Sequence, residues 1–207
     1  ERVKMEKYLE EKYGKEFVVD NVRVQGAGIG VDGELHATAT LQTNTDITFD
    51  VRGGAKGKNT RYDDDFLTTL WSSQAREKAE VFIQKELEGV VDYSVDVQVS
   101  DDFIFNYPMF GQTIDLYQAL SGYPESISAY ILSVRSIGTE EEEPSGSSLE
   151  KAFKIVSFAK EQPFGNPEVY YLYKNSSYNQ TDESGKPKYQ FRISVAHSDL
   201  MSVSSPD

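Results

Sequence analysis

The sequence predicts an α+β protein, with antiparallel sheet or sheets and about four helices packed on one side. Three observations carry that prediction. In the stretch Tyr62 to Val99, Phe66, Leu67, Leu70, Trp71, Ala75, Ala79, Phe82, Ile83 and Leu87 recur at helical spacing. Gly89 then supplies a stop, and Val91, Tyr93, Val95, Val97 and Val99 follow with period two. A helix this apolar on one side must lie on something. Residues 16 to 51 carry three short alternating runs with short connections, the pattern of a meander. Finally, the 207 residues are 38% hydrophobic and 12% aromatic, which is enough to build a core and too much for a disordered chain.

The elements follow in order. Val3, Met5, Tyr8, Leu9 and Tyr13 predict a first helix, with Lys12 in its last turn and Gly14 as a left-handed cap. Residues 16–25 read as a valine-rich strand whose alternation slips at Asp20-Asn21, the mark of a bulge. Gly26, Gly28 and Gly30 precede a strand rather than a helix, so they make a hairpin connection and not a phosphate loop. Leu35, Ala37, Ala39 and Leu41 alternate with His36, Thr38 and Thr40, which places His36 on a polar face. A turn at Asn44 to Asp46 leads into Ile47, Phe49 and Val51. Tyr62-Asp63-Asp64-Asp65 is read as the start of the long helix, with Asp63 or Asp64 capping it, and needs no metal.

The aromatic run Phe103 to Phe110 is either a short strand or extended segment in the core, or an exposed binding patch. Thr113 caps a short helix carrying Ile114, Leu116, Tyr117 and Leu120. Residues 126–134 are apolar on both sides and read as a central strand. Residues 139–148 form an acidic surface loop, and Ser147 with Glu150 gives a capping box for a helix carrying Leu149, Ala152, Phe153, Val156 and Ala159. Val169, Tyr171 and Tyr173, then Tyr189, Phe191, Ile193 and Val195, predict a closing hairpin. The order suggests an α-β-β-β-α-β half over 1–100 and an α-β-α-β-β half over 101–207, as two units or one continuous domain.

Several function classes are disfavoured by composition. The net charge of −13, from 34 acidic and 21 basic residues, repels nucleic acid and anionic membrane and suits a basic protein partner or a cation. Without cysteine there is no disulfide, thiolate chemistry or Cys-based zinc site, and two histidines, His36 and His197, supply little for a metal cluster. No apolar run reaches the length that spans a membrane. No nucleophile elbow, Walker loop or paired-His helix occurs, so no cofactor and no catalytic residue is expected. An enzyme would have to use paired carboxylates brought together in a cleft. Arg52, Lys56, Lys58 and Arg61 stand together in an otherwise acidic chain, and Tyr107 and Phe110 lie in the aromatic run. These six are the candidate partner contacts. The alternatives are a solvated basic loop and a core segment.

The segment Tyr8-Leu9-Glu10-Glu11-Lys12-Tyr13-Gly14-Lys15-Glu16-Phe17 resembles small surface-anchored lipoproteins of Gram-positive bacteria, in which a helix ending Lys-Tyr-Gly leads into a strand. The acidic start and Leu-Trp of Tyr62 to Trp71 are similar to the same group, as is the Leu149 to Ala159 helix followed by a tyrosine-rich strand. The anchoring cysteine of that group is not in this chain, so a membrane link would run through an anchor preceding Glu1. The resemblance implies an extracytoplasmic, non-catalytic protein that binds another protein, an immunity or secretion partner. It transfers no catalytic residue. A structural envelope lipoprotein without a ligand and a carboxylate-based enzyme stay open as alternatives.

Overall fold

Two four-stranded sheets organise the chain in the computed structural model, which describes residues 1–29, 33–54, 61–106, 115–138, 146–164, 167–175 and 191–195. The described residues hold eight strands and five helices, an α+β protein as its sequence predicts. The chain packs as two compact units, Glu1–Ser73 with Asp101–Asp115, and Gln74–Ser100 with Leu116–Asp207. The first change between them, from Ser73 to Gln74, falls inside a helix.

In the first unit, helix α1 (Arg2–Tyr13) ends as its sequence requires. Gly14 adopts φ 63°, and its N–H donates to the Glu10 carbonyl at 2.8 Å. Met5, Leu9 and Tyr13 are buried at intervals of four. Val3 is exposed, because two residues before Met5 is about 200° around the helix. Strands β1 (Phe17–Gln25), β2 (Glu34–Leu41), β3 (Asn44–Gly54) and β4 (Tyr62–Asp64) pair in order, all antiparallel. One face, with Phe17, Val19, Ala39, Phe49 and Val51, is buried. The slip at Asp20-Asn21 is a bulge. The register passes from Asp20↔Thr38 to Arg23↔His36, and Asn21 takes φ 56°.

The expected helical start at Tyr62 is a strand instead. Tyr62 and Asp64 pair with Gly53 and Val51 and turn inward, and helix α2 (Phe66–Glu86) begins two residues after Asp64. Phe66 meets Tyr13, Phe17 and Phe49 at ring-centroid distances of 4.6, 5.0 and 5.2 Å. Aromatic pairs of this kind add about 0.5–1.5 kcal/mol each beyond their burial. Along α2, Leu67, Trp71, Ala75, Ala79 and Ile83 are buried every fourth residue, the stripe its periodicity predicts. The start of the aromatic run is not a strand. Residues Asp101–Asn106 form helix α3, favoured by Asp101 and Asp102 in its first turn. Its Phe103 is buried, 5.5 Å from Trp71.

The second unit contains β5 (Val90–Val99), helix α4 (Leu116–Gly122), β6 (Ile127–Gly138), helix α5 (Gly146–Glu161), β7 (Pro167–Asn175) and β8 (Phe191–Val195). A 3-10 turn over Pro124–Ser126 precedes β6. The sheet order β5-β6-β7-β8 makes β6 an interior strand, in keeping with its two apolar sides. The β5–β6 and β7–β8 pairs are antiparallel, but β6–β7 is parallel. The purely antiparallel expectation fails there for a simple reason. Helix α5 lies between the two strands in sequence and packs on β7, and a helical crossover returns the chain to run in the same direction. Val91 leaves the alternation because a register shift between Val90 and Asp92 turns it outward. Phe82 stacks on Phe158 at 4.3 Å and Tyr130 on Phe164 at 4.2 Å, and Ser136 and Tyr171 share a buried hydroxyl hydrogen bond of 2.7 Å.

The left-handed Asn21 gives a test of the bulge. Asn21→Gly is expected to leave stability within about 0.5 kcal/mol, whereas the β-branched Asn21→Val costs about 1–2 kcal/mol, read from urea midpoints. Equal midpoints for the two variants would count against the bulge.

Candidate functional site

The three consecutive acids after Tyr62 have three different surroundings. Asp65 stands at the start of α2. Its carbonyl accepts from Thr69 N–H, and its carboxylate takes Arg52 Nη2 at 2.7 Å. Asp63 points to the outer side of β4 and is exposed. Asp64 lies inward, and its carboxylate is fully buried.

Four donors converge on Asp64. Oδ2 accepts from the Tyr8 hydroxyl at 2.7 Å and from Lys12 Nζ at 2.8 Å. Oδ1 accepts from the Tyr13 hydroxyl at 2.7 Å and from Phe66 N–H at 3.1 Å. An ionised carboxylate has about four lone-pair sites, so this one is saturated. The helical spacing of Tyr8 and Lys12 stacks them on one face of α1, and the Lys12 ammonium sits 5.4 Å from the Tyr8 ring and 5.0 Å from the Tyr13 ring. One carboxylate thus fixes α1, the end of β4 and the start of α2. Each of its lone-pair sites is taken by a donor of the chain itself.

Above this cluster lies an open pocket of about 340 Å³, lined by Tyr8, Glu11, Lys12, Arg61, Tyr62, Asp63 and Ile104. The Tyr8 and Tyr62 rings are 5.5 Å apart and tilted by 47°. Tyr62 is held from two sides. Its hydroxyl donates to Glu1 Oε2 at 3.0 Å, and a Cβ at Gly53, its cross-strand partner, would stand 2.6 Å from its ring. Burial, then the facing Asp64 carboxylate, pushes the Tyr8 phenol well above its ordinary value. Burial and the hydrogen bond to Glu1 push Tyr62 up to about 12.

Of the residues expected at a site, Arg61 lines this pocket, while Arg52 is drawn into the ion pair with Asp65. Lys56, Lys58, Tyr107 and Phe110 lie outside the described residues, as does the acidic loop from 139 to 145. Tyr8, Lys12 and Tyr62 were not expected there. The legible signal was the pairing of a Tyr-x-x-x-Lys-Tyr face with an acid on the inward side of a short strand. Among the described residues, no group of three or more His, Cys, Asp or Glu could hold a metal ion, and no helix is long and apolar enough to cross a membrane.

No family model matches the chain, and no curated protein matches it. Among solved structures it is similar to a DUF5037 family protein from Ruminococcus gnavus, at 14% sequence identity and a TM-score of 0.49, over 84% of this chain and 75% of that one.

Two outcomes follow from this geometry. Asp64→Asn, which strands a buried Lys12, is expected to cost about 3–5 kcal/mol in chemical denaturation. Pairing Asp64→Leu with Lys12→Met should cost clearly less than the sum of the single changes. Alkaline pH gives the second. Both phenols stay neutral in the folded protein past the pH at which the unfolded chain ionises. Their stabilisation is therefore complete below pH 10 and falls as pH rises from 10 toward 12 and beyond. Urea midpoints across that range should drop less steeply in Tyr62→Phe than in the parent.

Proposed function

We propose that this is a non-catalytic, extracytoplasmic protein of the cell envelope that binds another protein through the Tyr8–Tyr62 pocket. The observation that carries the reading is the combination of two tyrosine rings, Arg61 and Ile104 around an open cavity on a rigid floor. Tyr and Arg are the side chains that anchor protein interfaces, because each offers a large, stiff contact with a polar tip. Preorganisation supports it further. The Asp64 hydrogen bonds and the Gly53 backing hold the tyrosines in place before any partner arrives, which lowers the entropic cost of binding. The mixed lining of Glu11 and Asp63 with Arg61 and Lys12 suits a peptide surface carrying both polar and apolar groups. The envelope location draws on the likeness of Tyr8 to Phe17 and Tyr62 to Trp71 to surface-anchored lipoproteins.

Parallel capture from envelope extracts of the source cell, with the parent protein and Arg61→Glu immobilised side by side, tests the reading. Arg61 is exposed, so the variant should fold normally. A protein retained by the parent and reduced about tenfold by Arg61→Glu is the expected result, the weight of one charge-assisted contact. Equal retention by both would place the contact away from this pocket, and none by either would leave the purely structural envelope role.

A further inference from the structure

The outer face of the first sheet carries a second cavity, about 380 Å³, formed where the β1 bulge stands against β2. Asn21, Arg23, His36, Thr38 and Asp50 line it. Its charges are unusual. Arg23 contributes a guanidinium with no carboxylate partner among the described residues; Gln25, with its amide oxygen turned inward, accepts from Arg23 Nε at 2.8 Å and orients it without neutralising it. Asp50, exposed on β3, has no cation partner among the described residues. Each of these charges can take a ligand group without first breaking an ion pair within the described residues.

The register explains the separation. Arg23 lies opposite His36, and Asp50 lies opposite Thr38. Two inter-strand steps and a two-residue offset put their α-carbons ~12 Å apart. Both side chains line the same cavity. His36 stands beside Arg23. Its Nε2 lies 3.0 Å from Glu34 Oε2, and Thr38 stands on β2 between the two ends. Asn21, at φ 56°, forms the bulge in β1 and lines the groove beside Arg23.

We propose that this groove binds the zwitterion of an α-amino acid, with the carboxylate held by Arg23 and the ammonium by Asp50. A guanidinium takes a carboxylate in a two-pronged hydrogen-bonded pair, and an aspartate takes an ammonium, so one ligand satisfies both uncompensated ends. The site is separate from the tyrosine pocket, and neither reading rests on the other.

Nuclear magnetic resonance of the whole chain tests it, through the His36 ring signals, assigned by their loss in His36→Gln. Glycine, acetate and methylammonium are titrated separately. Glycine is expected to give a saturable shift at a concentration at least about tenfold below that needed by either half-ligand. Arg23→Gln and Asp50→Asn, both at exposed positions, should each weaken glycine binding by about tenfold or more. The proposal is overturned by the absence of a saturable shift, by acetate binding as well as glycine (a bare anion site), or by parental glycine binding in either variant.

Discussion

The first unit depends on one buried carboxylate. Asp64 sits where a three-residue strand becomes a long helix, and it gathers donors from α1 and from the first turn of α2. A buried ion is expensive, and its expense is offset only when every lone pair is met. Here the demand is met with two tyrosine hydroxyls, one ammonium and one backbone N–H. Because these partners lie 51 to 56 residues away in α1 and two residues away in α2, the cluster specifies how α1 packs as well as how tightly. Apolar packing by Met5, Leu9 and Tyr13 is permissive about sliding, whereas the four hydrogen bonds are not.

That cluster also links packing to recognition. The side chains that satisfy Asp64 from below, Tyr8 and Lys12, form part of the lining of the pocket above it. Their rotamers are fixed by the core, so the pocket keeps its shape without a ligand. Gly53 contributes by absence, since the space a side chain would occupy is filled by the Tyr62 ring.

Much of the fold was legible in the sequence. The stripe from Leu67 to Ile83, the Gly14 cap, the bulge at Asp20-Asn21 and the interior position of β6 all follow from local periodicity and turn chemistry. What was not legible is non-local. Asp64 reads as a helix cap and does accept the Phe66 N–H at the start of α2, but its inward burial comes only from the pairing of β4 with β3. The parallel β6–β7 pairing was missed because alternation reports which face is buried and is silent on strand direction. The short helix at Asp101–Asn106 was hidden by aromatic residues that favour strands, although its two leading acids favour a helix start. The site was half legible. Arg61 stood out as a cation in an acidic chain, but the tyrosines beside it come from a helix 50 residues earlier and from a strand that looked like a helix.

The bulge in β1 has an effect on the margin of its sheet as well as on its face. In the order β1-β2-β3-β4, β1 is an outermost strand, and an outermost strand offers a row of backbone donors and acceptors to any extended chain that drifts past. The left-handed Asn21 breaks that row midway, so donors and acceptors on either side of it fall out of step with a regular incoming strand. A copy of this chain aligned along β1 would therefore meet a row of donors and acceptors interrupted at Asn21.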